Sequence, residues 1–160
     1  MAANPSRAPR ALFHHAHQTR WLDPFPGESM GVRITTQDAG GGLALIETVV
    51  APMGGPPLHI HHDADETFYV LTGTLHFACG DRREQVVAGS VVHVPRGVPH
   101  AFRNFGAHPA RMLALFTPGG FDRLVQLMDR IDIADLPRVA SLFDAEIVGG
   151  PIDDPVSGEA

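Results

Sequence analysis

Two segments that each combine histidine with turn residues constrain this sequence more than any other feature. The first runs from Gly55 to Gly73 and contains the pattern H-x-H-x4-E-x6-G. The second runs from Gly89 to Asn104 and reads G-x5-P-x-G-x2-H-x3-N. Together they supply three imidazoles and one carboxylate, which is a metal-binding set of side chains. The chain is therefore expected to fold so that the two segments meet at one point.

The spacing within these segments is that of short strands. Alternate side chains of an extended strand share a face, so His59 and His61 point the same way. Glu66 opens the next strand after a turn, and His100 opens a further strand after the Pro- and Gly-rich stretch 95–99. A barrel of such strands directs four side chains at a single point and leaves one or two coordination positions open. The predicted metal ligands are His59, His61, Glu66 and His100.

Three imidazoles and one carboxylate suit one divalent transition metal, namely Fe, Mn, Co, Ni, Cu or Zn, and do not choose among them. The imidazoles disfavour an all-oxygen site for Ca or Mg. Cys79 is the single cysteine, so the paired cysteines of a structural zinc site are absent from the sequence. The same count excludes an intramolecular disulfide.

Both segments closely resemble the two signature motifs of the cupin superfamily. In the first motif, Gly54 leaves four residues before His59 where the usual pattern has five. The resemblance covers roughly residues 21–120. It implies an all-β fold, the cupin double-stranded β-helix or jelly-roll barrel, with short C-terminal helices. The stretch from Thr117 to Phe121 further resembles the small single-domain relatives of quercetin dioxygenase.

The rest of the chain is consistent with one domain. Residues 1–10 are expected to be a flexible N-terminal arm, residues 11–150 the single cupin domain and residues 151–160 a frayed tail. From Met30 onward, short apolar or alternating runs separated by Gly, Pro, Asp and Asn indicate strands. Apolar residues at helical spacing, beginning at Phe121, indicate a helical segment over residues 119–145. We expect a homodimer, in which Trp21, Leu22 and Phe25 either cover a neighbouring sheet or pack on their own barrel.

Composition excludes several classes of partner. The 160 residues carry a net charge of −6, which argues against nucleic-acid and anionic-membrane partners. We find no apolar run of the roughly 20 residues that a membrane span requires, and no secretion signal at the start. A cytoplasmic protein that binds a small molecule is therefore expected.

The metal ligands leave three functions open. The resemblance implies a dioxygenase acting on an enolisable or aromatic substrate, with Glu66 as the catalytic base. A non-redox isomerase, cyclase or lyase uses the same ligands, and a non-catalytic small-ligand-binding cupin is the third class. Apolar side chains are expected to line the substrate pocket in every case. They are Phe68, Phe77, Phe102, Met112 and Phe116.

Other histidines are expected to lie outside the site. His62 follows the second ligand directly, so on a strand its side chain points away from the metal. The N-terminal cluster of His14, His15 and His17 is close to the predicted arm and is expected to bind metal only adventitiously.

Overall fold

The computed structural model describes residues 10–128 and 130–156, and these form two antiparallel β-sheets with two short helices. In chain order the strands are β1 (Trp21–Phe25), β2 (Glu28–Ile34), β3 (Ala44–Val50), β4 (His59–His61), β5 (Asp65–Thr72), β6 (Thr74–Cys79), β7 (Arg82–Val87), β8 (Val91–Val94), β9 (His100–Arg103), β10 (Ala110–Thr117) and β11 (Ala145–Ile147). The helices are α1 (Phe121–Met128) and α2 (Leu136–Ser141).

The two sheets face each other as a jelly roll. The larger sheet has the strand order β1-β2-β3-β10-β5-β8, and the smaller sheet has the order β11-β4-β9-β6-β7. Consecutive strands alternate between the sheets often enough to wrap one apolar interior, as in a double-stranded β-helix. The predicted all-β cupin fold with short C-terminal helices is confirmed.

The interior follows from strict alternation along the long strands. In β10 the buried positions are Ala110, Met112, Ala114 and Phe116, and every second residue between them is more exposed. The residues paired with them in β5 are also buried. Phe68 lies opposite Ala114 and Val70 lies opposite Met112, and both side chains face the same interior. Side chains of both sheets therefore share one core, which continues onto α1 and α2.

Strand pairing brings the two histidine segments together. His59 of β4 stands opposite His100 of β9, although about forty residues separate them in the chain. On the facing sheet, Glu66 of β5 stands opposite Phe116 of β10. The sheet register thus sets the site, because a slip of one residue would turn each of these side chains to the other face.

The start of the barrel differs from the sequence expectation. Residues from Trp21 to Phe25 form β1, an edge strand paired with β2, and Leu22 is buried in the core of the same chain. The second strand begins at Glu28, two residues before the expected start at Met30. Pro24 lies within β1, and an edge strand tolerates proline because one side of its backbone needs no partner. The predicted arm over residues 1–10 lies outside the described residues except for its last residue.

The predicted helical segment over residues 119–145 contains α1 and α2, after which the chain returns as β11, which pairs with β4. Within the predicted tail, Ile152 and Val156 contact the barrel, and Pro151, Asp153, Asp154 and Pro155 are exposed. Ile152 is 5% exposed, and Arg103 donates a hydrogen bond to its carbonyl oxygen at 2.7 Å. Residues 157–160 lie outside the described part of the chain. No helix in the described part of the chain has the length and apolar character needed to span a membrane.

Candidate metal centre

The four predicted ligands form one buried cluster. One ligand atom from each of His59, His61, Glu66 and His100 lies within 4.8 Å of the others. Two strands of the smaller sheet and one strand of the larger sheet converge here, because β4 contributes two histidines, β9 one and β5 the carboxylate. The structure therefore brings together all four residues that the spacing predicted.

Backbone carbonyls orient two of the histidines. The Nδ1 atom of His59 lies 2.8 Å from the Pro57 carbonyl oxygen, and that of His100 lies 2.9 Å from the Val98 carbonyl oxygen. A carbonyl oxygen only accepts hydrogen bonds, so each Nδ1 carries a proton and each Nε2 is the nitrogen left for other partners. Such a contact fixes both the tautomer and the ring orientation of a metal-binding histidine.

Glu66 is ionised within this cluster. Its Oε2 atom lies 2.9 Å from His100 Nε2 and 3.3 Å from His61 Nε2. Burial opposes ionisation, but the hydrogen bond to His100 and the contact with His61 together lower the pKa of Glu66 to about 2. The cluster therefore presents a negative charge among three imidazoles, which is the electrostatic arrangement that a divalent cation requires.

The pKa values of His59 and His100 are shifted in opposite directions. Burial, together with the positive charge of neighbouring imidazoles, lowers the pKa of His59 to about 3, so this ring is neutral and able to bind a metal. For His100 burial also opposes protonation, but the contact with Glu66 raises its pKa above the ordinary value. The carboxylate of Glu66 therefore stabilises the protonated form of His100.

His61 provides the test of whether a metal fits. Its side chain is 4% exposed, and its Nε2 atom has no hydrogen-bond partner among the described residues. The 3.3 Å approach to Glu66 lacks hydrogen-bond geometry, so a buried nitrogen faces the centre of the cluster unsatisfied. Burying a ring nitrogen without a hydrogen-bond partner costs free energy, and coordination of a divalent transition metal would give this nitrogen a partner. The residues present fit such an ion.

An apolar cavity of about 50 Å³ adjoins the ligands. Four of the predicted pocket residues line it, namely Phe68, Phe102, Met112 and Phe116. Phe77 lies elsewhere, because its ring packs against Phe68 and Phe102 and borders a separate cavity near Cys79. The space corresponds to only a few water molecules, so a larger ligand requires movement of the surrounding side chains.

The C-terminal helices also contribute to this cavity, which the sequence analysis did not predict. Phe121 and Met128 of α1 and Leu136 of α2 line the cavity. Phe121 stacks on Phe116 with a centroid separation of 4.3 Å, and its edge meets the His61 ring at 5.0 Å. The helical stripe beginning at Phe121 was visible in the sequence, but its spacing could not show that it closes the mouth of the barrel.

The four histidines that the sequence predicted to lie outside the site do lie outside it. His62 is exposed, and its Nε2 atom lies 3.0 Å from Glu146 on the outside of the barrel. His14, His15 and His17 are exposed, and the rings of His15 and His17 stack at 5.7 Å. None of these side chains belongs to the buried cluster.

Comparison with known proteins agrees with this geometry. Residues 46–116 match the family model described as "Cupin domain". Germin-like protein 5-1 of Oryza sativa subsp. japonica is 35% identical over 106 residues, covering 60% of this chain and 44% of that protein. The chain spans between 16% and 60% of the length of the curated relatives that it matches. The chain thus has the cupin fold, and residues 46–116 match a cupin domain.

Two solved structures illustrate the likeness. KdgF from Halomonas sp. superposes with a TM-score of 0.64 at 18% identity, covering 70% of this chain and 99% of that one. The polyketide cyclase RemF from Streptomyces resistomycificus has a TM-score of 0.60 at 27% identity, covering 68% of this chain and 80% of that one. The first likeness concerns the fold alone.

Proposed function

We propose that this protein is a metal-dependent enzyme that acts on an enolisable or aromatic small molecule. The observation that carries the proposal is the position of the four-ligand cluster on the wall of an apolar cavity. A buried charged cluster beside apolar walls suits a substrate with one ionisable oxygen and a flat apolar body. A divalent ion held by His59, His61, Glu66 and His100 supplies Lewis-acid stabilisation of such an oxygen.

In this proposal Glu66 is the catalytic base. It is ionised at neutral pH and therefore able to accept a proton from a substrate that reaches the cluster. The contacts with His100 and His61 that keep it ionised also make it a weak base. Proton transfer to Glu66 therefore requires that binding of the substrate weakens these contacts. The stacked rings of Phe116 and Phe121 cover His61 and exclude water from the same region.

Two reactions fit this arrangement, and a separate observation favours each. The resemblance of the stretch from Thr117 to Phe121 to the small relatives of quercetin dioxygenase favours an oxygen-dependent cleavage, the reaction of a dioxygenase. The likeness to the polyketide cyclase RemF favours a non-redox reaction, such as a cyclisation, through the same stabilised enolate. We propose the dioxygenase first and the cyclase type second.

Oxygen uptake separates these reactions. The protein is loaded separately with Fe(II), Mn(II), Co(II), Ni(II), Cu(II) and Zn(II), and each form is offered flavonols, β-diketones and catechols in air and under argon. Uptake of oxygen that is absent from His59→Ala identifies a dioxygenase. Conversion under argon without uptake identifies non-redox chemistry. His62→Ala is the matched control, because His62 is the adjacent histidine on the outside of the barrel.

The absence of conversion by every form, with metal loading confirmed, would overturn the enzymatic proposal in favour of a non-catalytic small-ligand-binding protein.

We further propose that the chain forms a homodimer. Exposed Trp21 on edge strand β1 is a suitable contact for a second copy. Sedimentation analysis of wild type and Trp21→Ala tests this, and a wild-type monomer at all concentrations would contradict it.

A further inference from the structure

A second carboxyl group is buried in the barrel and is not used by the ligand cluster. Glu28 is the first residue of β2 and is 3% exposed. Both of its carboxyl oxygens are buried, and neither has a hydrogen-bond partner among the described residues. An ionisable group in this position is expensive to bury, whereas an apolar side chain would fill the space without penalty.

Glu28 faces the interior beside the cavity. Side chains two positions apart share a face of a strand, so Glu28 points the same way as Met30, which lines the cavity over the ligands. Its neighbour across the sheet is Val50, which is fully buried. Glu28 itself lines an adjoining cavity, and the two cavities share Phe25, Met128 and Leu136. The two cavities therefore share part of their wall, and Glu28 lines the cavity that adjoins the one over the ligands.

Glu28 and Glu66 belong to different strands of the larger sheet. Strands β3 and β10 lie between β2 and β5 in the larger sheet. The apolar side chains of Met30 on β2 and of Met112 and Phe116 on β10 line the cavity. A ligand that reaches from the cluster to Glu28 thus passes an apolar stretch between two polar positions.

We propose that Glu28 is a substrate-binding residue that hydrogen-bonds a hydroxyl or carbonyl oxygen of the substrate, so that the substrate carries one oxygen at the ligand cluster and a second at the opposite end of an apolar body. The inference rests on the proposed function, because it takes the cavity over the ligands to be the substrate site. It narrows the substrate class to enolisable aromatic compounds that bear a second, distal oxygen.

The ionisation state of Glu28 agrees with this role. Burial, with a further contribution from the negative charge of Glu66, raises the pKa of Glu28 to about 8. At neutral pH the group is therefore mostly a neutral carboxylic acid, which both donates and accepts a hydrogen bond. A neutral acid in an apolar surround can bind an uncharged hydroxyl or carbonyl oxygen without the penalty of a buried charge.

The test uses two ligands that differ only in the distal oxygen, benzoylacetone and para-hydroxybenzoylacetone. Their affinities for the Zn(II)-loaded protein are measured by calorimetry, because zinc prevents redox turnover during the titration. We expect the wild type to bind the hydroxylated compound about tenfold more tightly, as one hydrogen bond to a buried group allows. Glu28→Gln retains a donor and keeps the preference, whereas Glu28→Met abolishes it.

Three readouts exclude an indirect effect. Zinc content should be equal in all variants, the melting temperature of Glu28→Met should be equal to or above that of the wild type, and the exposed control Glu84→Gln should retain the preference. Glu28→Leu is the second apolar variant. Equal binding of the two ligands by the wild type, or a preference that persists in Glu28→Met, would overturn the inference. Loss of folding in both apolar variants would also overturn it, because Glu28 would then be a structural group.

Failure of the proposed enzymatic function is distinguishable from failure of this inference. A preference that depends on Glu28, together with no conversion of either diketone by any metal form, would leave the binding role intact and remove the enzymatic proposal. Conversion of both diketones, bound with equal affinity, would support the enzymatic proposal and remove the binding role of Glu28.

Discussion

At the scale of single residues, the site depends on how a few polar groups are kept in a largely apolar interior. His59 and His100 are held by carbonyl oxygens, Glu66 by two histidines, and His61 has an unsatisfied buried nitrogen. A divalent cation would bind the oriented imidazole rings, the negative charge of Glu66 and the unpaired nitrogen of His61. The cluster is therefore better explained as a set of ligands than as a structural hydrogen-bond network, in which His61 would also be paired.

Glu66→Gln tests the carboxylate directly. The amide has nearly the same shape, so the fold is expected to persist, but it removes the negative charge and the proposed base. We expect metal affinity to fall and turnover to decrease by about 100-fold or more, the range of a lost general base. Metal analysis and steady-state kinetics measure both effects, with Glu84→Gln as the exposed control. Unchanged turnover would remove the catalytic role from Glu66.

The burial of Glu28 predicts that the free energy of unfolding depends on pH. Its pKa rises from 4.5 to about 8 on folding, so the unfolded chain loses this proton first as the pH increases. The contribution of Glu28 is therefore fully retained below about pH 4.5 and lost progressively as the pH approaches 8. In that window the free energy of unfolding of the wild type should fall, relative to Glu28→Gln, by up to about 1.4 kcal/mol per pH unit.

Urea denaturation of both proteins at several pH values, in the same metal state, measures the difference. The comparison between variants cancels the titration of histidines common to both. Parallel curves across the window would show that the carboxyl group of Glu28 has an ordinary pKa and would contradict the account of its burial.

At the scale of elements, helix α1 is fixed to the larger sheet by one buried carboxylate. Asp122, in the first turn of α1, is 2% exposed. It accepts a hydrogen bond from the Thr36 backbone N–H at 3.1 Å and another from the Thr36 hydroxyl group. Thr36 follows β2, so this contact joins the helix that carries Phe121 and Met128 to the strand that carries Glu28.

Asp122→Ala should therefore destabilise the protein. It leaves the backbone N–H and the hydroxyl group of Thr36 buried without their partner, which costs about 2 kcal/mol. Asp135→Ala is the matched control, because Asp135 is exposed and its side chain forms a 3.5 Å ion pair with Arg138. We expect that control to change the free energy of unfolding by less than about 0.5 kcal/mol. Equal unfolding curves for the two variants would show that the Thr36 contact does not stabilise α1.

At the scale of the whole molecule, one barrel holds the ligands and two helices close the space beside them. The fold and the four ligands could be predicted from the sequence, because strand alternation and turn residues act locally. The position of His100 opposite His59 follows from the same rules once the sheets are paired. These features depend on short-range spacing, which a single sequence displays directly.

Other features depend on contacts between distant segments, and the sequence did not show them. Phe77 has the same inward-facing pattern as Phe68, but only the pairing of β6 with β9 places it behind the cavity wall. Glu28 directly follows Gly27, a typical turn residue, and was therefore not predicted to lie in the interior. Its position two residues before Met30 on the same strand indicates that both side chains face inward. Ile152 lies in a polar tail and is buried only because the five-stranded sheet offers it an apolar surface.

The central claim is that His59, His61, Glu66 and His100 hold one divalent transition metal. Titration with Co(II), followed by its visible absorption and by calorimetry, tests the claim most directly. We expect one ion per chain in the wild type and in a variant with His14, His15 and His17 all replaced by Ala, and no such ion in His100→Ala. One tightly bound ion retained by His100→Ala, or lost with the three N-terminal histidines, would contradict the account.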